Sequence, residues 1–237
     1  MRYLDRFSVV ITCEHATCFV PLRYKNLFAG HDQLLLSHRG WDPGSLELGS
    51  AIANHFGFPF FATEVSRLLI EVNRSLWHGQ LFSEFSKVLD DDAKQSLLDM
   101  YYHKHRNAVE SWIVAQCNSG SCVLHLSLHS FAPSLNGVER NADVGLLYDP
   151  RRPNEKQFCE QWKESFQKVI PEWRVRKNYP YLGRSDGFTT YLRKRFSGEQ
   201  YCGVELEVNQ RWAVERPAIY DARVWEMVQT IECVLAI

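Results

Sequence analysis

Two histidines, His15 and His129, each close a short apolar run, and neutral imidazoles in such places are ordinary zinc ligands. A catalytic zinc takes three protein ligands and leaves a position for water, so a carboxylate or thiolate is required as well. Asp42, in RGWDPGS, is the preferred third ligand and Cys18 the alternative. Glu14 is a poor one, because neighbours in a strand point to opposite faces. A carboxylate beside zinc-bound water can act as general base and then protonate a departing amine. Glu207 fits that role, at a strand end and on the same face as Glu205 by the two-residue strand period. An arginine fork suits a substrate carboxylate through paired parallel hydrogen bonds, which Arg74 with Asn73 could supply. Arg67, six residues before Asn73, could stabilise a developing oxyanion.

Each of these residues also has a plainer reading. A histidine beside a strand is often a satisfied structural residue, and His125, inside the apolar run before His129, is assigned to packing or a local hydrogen bond. His31, His38, His55 and His78 stand in polar or loop contexts and receive no role. His103 and His105 read first as a half-buried aromatic face of a helix, with support of the site as the second reading. Arg67 and Arg74 could be surface charges. Glu205 and Glu207 could be a solvated strand face, although two acids in GVELEV are unusual for a strand buried on both sides.

The elements that must position these groups alternate along the chain. Strands are expected at Ser8–Cys13, Leu68–Val72, Val123–Leu128, Val144–Tyr148 and Val204–Val208. A helix between Gly44 and Phe56 is ended by Gly57, and a long one from Asp90 to Cys117 opens on three aspartates that suit its positive end. Its buried stripe is expected at Leu97, Leu98, Tyr101, His105, Ala108, Val109, Trp112 and Ile113. Further helices are expected over Asn154–Val169, Phe188–Phe196 and Ala218–Leu235. Strands interleaved with helices imply an α/β fold, a mixed, largely parallel sheet covered on both faces, and residues 1–237 are read as one domain. Ligands of such sheets bind past the carboxyl ends of strands, which is where His15, Asn73–Arg74, His129 and Glu207 fall.

Composition narrows the class. Lys plus Arg number 27 and Asp plus Glu 28, so the formal charge is −1 and no broad electrostatic footprint for nucleic acid or an anionic membrane is present. No apolar run is long enough for a membrane span. Asp5 and Arg6, ahead of a strand-like run, argue against a secretory signal. Seven cysteines, an odd number in a chain of 237 residues, fit reduced thiols and a cytoplasmic protein.

CEHA with Val20-Pro21, WDPG, SRLLIEVNRS, LSLHSFAP, NADVGLLYD, NYPYLG with Gly187, and VELEVNQ follow one another in this order. Together they resemble the N-formylglutamate amidohydrolase family, over about Ile11 to Gln210. That family looks distantly related to the zinc carboxypeptidases, so the resemblance implies a zinc-carboxypeptidase-like fold. It further implies His15 and His129 as ligands, Asn73 and Arg74 as the carboxylate-binding pair, and Glu207 in preference to Glu205 as catalytic glutamate. One departure matters. The peptidases use His-x-x-Glu, but three residues after His15 stands Cys18, and in formylglutamate hydrolases an aspartate further along substitutes, here Asp42. Asn178 and Tyr181 recur in the family pattern and are expected to border the acyl pocket, with Gly187 permitting close backbone approach.

The expected reaction is attack of zinc-activated water on the amide of a small N-acyl amino acid, most naturally N-formyl-L-glutamate, giving glutamate and formate. Other readings are a deacylase or carboxypeptidase-like hydrolase for another N-acyl amino acid or short peptide, a cysteine hydrolase using Cys13 or Cys18 with His129, and a non-catalytic metal- or ligand-binding module. Oligomeric state is open at this level.

Overall fold

The computed structural model describes residues 7–236, so Asp5 and Arg6 lie outside the described residues. Strand β1 (Phe7–Cys13) is followed by a 3₁₀ stretch, Leu22–Phe28, and a helical turn, Asp32–Leu35. Helix α1 (Ser45–Phe56) then crosses to β2 (Phe60–Ala62), parallel to β1. Next come α2 (Asp91–Leu97), a π-helical stretch (Leu98–His103) and α3 (Lys104–Asn118), which run on as one rod into β3 (Cys122–Phe131). A small hairpin, β4 (Ser134–Leu135) and β5 (Val138–Glu139), precedes β6 (Val144–Leu147). Helix α4 (Pro153–Val169), β7 (Val175–Lys177), α5 (Phe188–Arg195), β8 (Tyr201–Asn209) and α6 (Pro217–Leu235) complete the order.

The main sheet has the order β2-β1-β3-β8-β6-β7, and only the β6–β8 pair is antiparallel. It is the mixed, largely parallel sheet that alternating strands and helices imply. The two-residue strand period sorts its side chains. Leu124, Leu126 and Leu128 of β3 join Ile11, Val204 and Leu206 in a core completed by α1, α4 and α6. The opposite face is covered by α3 and α5, through Val109, Ile113, Phe188 and Leu192 packed on Val10, Val123 and Tyr201. On that second face β3 also carries His125, Ser127 and His129, and the parallel register sets Ser127 beside Glu205 and His129 beside Glu207.

Two expectations need correction. Leu68–Val72 is not a strand: the chain turns repeatedly there, with Leu69 N–H and Ile70 N–H donating to Ser66 O and Arg74 N–H donating to Glu71 O. Its apolar residues are continuous because they are buried on all sides, in a separate cluster with Tyr24, Phe28, Leu97 and Tyr102, and a short apolar run cannot distinguish that from a strand. The parallel edge strand is instead β2. The long helix forms where expected and is capped by the Asp90 carboxylate, which accepts from Ala93 N–H at 2.8 Å. The π-helical stretch alters its register, so that Ala108 is exposed and Tyr102 and Arg106 are buried beside His105, Val109 and Ile113.

Candidate metal centre and substrate cavity

His15 lies in the turn just past β1, and Asp42 is drawn to it because Asp42 N–H donates to His15 O at 3.0 Å. The WDPG turn that presents Asp42 leads into α1. Gly44 in it has φ of 85°, and a side chain there would strike the Tyr220 hydroxyl. His129 is brought in by β3. Three atoms converge: His15 Nδ1 and His129 Nδ1 are 3.2 Å apart, and Asp42 Oδ2 lies 3.2 and 3.0 Å from them. All three residues are buried.

The other ring nitrogens fix the tautomers. His15 Nε2 donates to Glu71 Oε1 at 2.6 Å. His129 Nε2 donates to Ser127 Oγ at 2.9 Å and lies 3.3 Å from Glu14 Oε2, while the Ser127 hydroxyl donates to that same oxygen at 2.7 Å. With those nitrogens protonated, both Nδ1 atoms and Asp42 Oδ2 turn lone pairs towards one another. Three acceptors cannot stay this close in a buried site without positive charge among them. That demand shows in His129: burial opposes its charged form, yet bonds with Asp42 and Glu14 hold its pKa well above the ordinary value. Burial likewise works to raise Asp42 and Glu71. His15 and His129 around Asp42, and Arg67 and His15 around Glu71, nonetheless hold both carboxyls far below the usual range. A tetrahedral zinc with bonds near 2.1 Å separates its ligands by about 3.4 Å, close to the spacing observed. Two imidazoles and a carboxylate, each imidazole backed by an acid, fit a divalent ion.

Arg67 reaches this group from the turn after β2. Its Nε and Nη2 donate to Glu71 Oε2 at 2.8 and 2.6 Å, and Nη1 reaches Asp42 Oδ1 at 3.3 Å. A cavity of about 320 Å³ opens on the triad, lined among others by Arg67, Asn73, Arg74, Tyr181, Glu205 and Glu207. Glu207 is 5% exposed, and its Oε2 has no hydrogen-bond partner among the described residues. Burial, with His129 opposing it, pushes this carboxyl up to about 8. Glu205 differs, because its Oε1 accepts from the Thr189 hydroxyl. Asn73 Oδ1 accepts from Phe188 N–H at 2.8 Å, which leaves the amide N–H groups of Asn73 free of that role. Arg74 Nη1 donates to the Asp186 carbonyl.

Several expected residues stand elsewhere. Cys18 lines a separate surface cavity beside Phe19 and Phe28. His103 meets Tyr102 edge-on and is absent from the cavity lining, whereas His105 lies 3.5 Å from Glu14. Asn178 is also absent from that lining: its Oδ1 accepts from Tyr148 N–H and Gly183 N–H, at 3.2 and 2.9 Å, so it shapes the loop that carries Tyr181. At Gly187 an added Cβ would sit 3.4 Å from Asn73 Oδ1. The backbone packs more tightly at Gly145, beside Glu207, where a Cβ would collide with the Tyr179 carbonyl. Cys13 is fully buried and its thiol is pushed up to about 12 by burial, which makes it a poor nucleophile. His125 is a satisfied structural histidine, bonded to Thr12 and Tyr201 at 2.7 and 2.6 Å.

Sequence reasoning missed Glu71, Glu14, Ser127 and His38. Glu71 was hidden inside a supposed strand. Ser127 carried a usable signal, as it alternates with His125 and His129. His38, on the cavity wall, gave none.

The model of the N-formylglutamate amidohydrolase family matches residues 7–213. Among solved structures, the gene product Atu2144 from Agrobacterium tumefaciens superposes with a TM-score of 0.77 at 23% identity, covering 97% of this chain and 93% of that one. An N-formylglutamate amidohydrolase from Ralstonia eutropha JMP134 superposes with a TM-score of 0.70 at 16% identity, covering 98% and 94%. No curated protein matches the sequence. Among the described residues no helix is long and apolar enough to cross a membrane.

Proposed function

The chain belongs to the N-formylglutamate amidohydrolase family, and we propose that it hydrolyses the amide of a small N-acyl amino acid, N-formyl-L-glutamate foremost. His15 Nδ1, Asp42 Oδ2 and His129 Nδ1 would hold one divalent ion, zinc by the nature of the donors. When bound, that ion supplies Lewis acidity to the attacking water and to the amide carbonyl. Residues 1–237 act in this reading as one domain, in the cytoplasm, on a small-molecule substrate.

Glu207 takes the proton of the attacking water and returns one to the departing nitrogen. Its place across the strand pair from His129, with Oε2 unpartnered, favours it over Glu205, which is already bonded to Thr189. Arg74 binds the substrate's α-carboxylate, and the Asn73 amide N–H groups assist it. Arg67, held against Asp42 and Glu71, keeps its positive charge at the cavity edge, where negative charge grows on the carbonyl oxygen.

The observation that carries this reading is the convergence of His15 Nδ1, Asp42 Oδ2 and His129 Nδ1 beside a buried glutamate whose Oε2 is unpartnered. Glu207→Gln tests it: the variant is expected to keep one equivalent of bound zinc and to lose turnover by on the order of 10²-fold or more. A variant that hydrolyses N-formyl-L-glutamate at the wild-type rate would remove Glu207 from the reaction.

A further inference from the structure

We infer that Arg106, assisted by Tyr102, is a positioning residue for the carboxylate clamp: it holds the backbone on both sides of the Asn73–Arg74 pair and so fixes where those two side chains enter the cavity. The inference rests on the function proposed above and adds to its binding machinery a residue that does not itself line the cavity.

Arg106 is only 4% exposed, yet among the described residues no acid pairs with it, in contrast to Arg67 with Glu71 and Arg193 with Glu155. Aromatic faces stand in for a counter-ion: the guanidinium carbon lies 4.4 Å from the ring centres of Phe188 and Tyr191 and 4.9 Å from that of Tyr102. Burying such a charge is costly, and an apolar side chain would serve for packing alone. What Arg106 supplies instead is donors. Its Nη1 donates to Val72 O at 3.0 Å and reaches Arg74 O at 3.4 Å. The Tyr102 hydroxyl donates to Arg74 O at 2.8 Å. No backbone N–H donates to either carbonyl among the described residues. These two side chains, rather than a ladder, therefore satisfy the carbonyls that bracket the pair.

The local helix geometry suits this task. Tyr102 and Arg106 stand four residues apart, on one face of the rod, and the π-helical stretch turns that face inward. Phe188, whose ring covers the guanidinium, gives its N–H to Asn73 Oδ1 at 2.8 Å, and Arg74 Nη1 donates to the Asp186 carbonyl. The pair is thus held at its backbone by the rod and at its side chains by the segment that opens α5. The Arg74 guanidinium sits at the end of a long side chain, so a small tilt of its backbone is magnified at the tip. A misplacement of about 1 Å there can cost on the order of 10²-fold in rate.

The test is a mutant cycle on the zinc-loaded protein with N-formyl-L-glutamate, placing Arg106→Met in the wild type and in Arg74→Ala. In the wild type the substitution is expected to lower kcat/KM by about 10- to 100-fold, chiefly through KM, and Arg106→Lys to recover part of the loss. In Arg74→Ala, where the clamp is already gone, its further effect is expected to stay under about 3-fold. A purely structural role would lower kcat/KM by the same factor in both backgrounds, which would overturn the inference. If Arg106→Met does not fold, Tyr102→Phe, which removes only the bond to Arg74 O, carries the same cycle. If the wild type does not cleave the compound, the amidase reading fails separately, and positioning is judged by hydrogen exchange. The amide N–H groups of Asn73, Arg74 and Ser75 are all hydrogen-bonded. Faster exchange at these three in Tyr102→Phe, with β1 and β3 unchanged, supports the inference, and exchange equal to wild type overturns it.

Discussion

Nδ1 of His15 and Nδ1 of His129 stand 3.2 Å apart although 114 residues separate them in the chain. β1 and β3 are hydrogen-bonded neighbours in the sheet, so both histidines emerge at the same carboxyl edge. Asp42 closes the triangle from the turn that opens α1. The backing acids turn the rings so that their Nδ1 atoms meet.

The third ligand is the first point to probe. Asp42→Ala is expected to weaken zinc binding by about 100-fold or more, since each ligand carries a substantial share of the binding energy of such a site. Cys18→Ala is expected to leave it unchanged, because Cys18 lines another cavity. Competition against a chromophoric chelator measures both. Loss of zinc from the Cys18 variant would reassign the ligand.

The acids behind the rings predict a second effect. Glu71→Ala removes the partner of His15 Nε2, and Glu14→Ala removes one from His129. Each is expected to lower zinc affinity by about 10- to 100-fold while the far-ultraviolet dichroism of the fold persists. Affinities equal to wild type would show that the tautomers are fixed by something else.

Asn73 and Arg74, adjacent in sequence, are predicted to fail differently. Arg74→Ala is expected to raise KM, with kcat/KM falling about 10- to 100-fold for loss of a charge-assisted hydrogen bond. Asn73→Ala also removes the acceptor of Phe188 N–H at the start of α5. Its added cost is about 1 kcal/mol of stability, as for a lost helix cap, read by urea unfolding. Equal stability of the two variants would contradict that assignment.

Glu207 gives a pH dependence to the metal-free protein. Burial raises its carboxyl from 4.5 to about 8, so the folded chain holds a proton there that the unfolded chain releases. Between those values the term turns against folding as pH rises, and above about pH 8 its cost is complete. In chelator-treated protein, Glu207→Gln is expected to match wild type near pH 5 and to exceed it near pH 9 by up to about 4 kcal/mol. A difference that stays flat across this range in urea unfolding would show that the carboxyl is not perturbed.

The sequence and the structure agree best where periodicity and position carry the information. β3 and β8 are readable because strands buried on both faces seldom carry polar residues at every second place, and here those residues are His125, Ser127, His129, Glu205 and Glu207. What was not legible depends on turns. Leu68–Val72 looks like a strand because its residues are buried all round, and only the three-dimensional path shows that Glu71 bends back to His15. Asn178 shows the limit of transferring a motif: it belongs to the loop of the site, but its side chain is occupied in holding Tyr148 and Gly183.

The most direct measurement is formate release from N-formyl-L-glutamate by protein stripped with a chelator, before and after one equivalent of Zn²⁺ is returned. A divalent ion at His15, Asp42 and His129 predicts no turnover in the stripped protein and recovery that saturates at one ion per chain. Full turnover by the stripped protein, with no metal detected in it, would contradict the account.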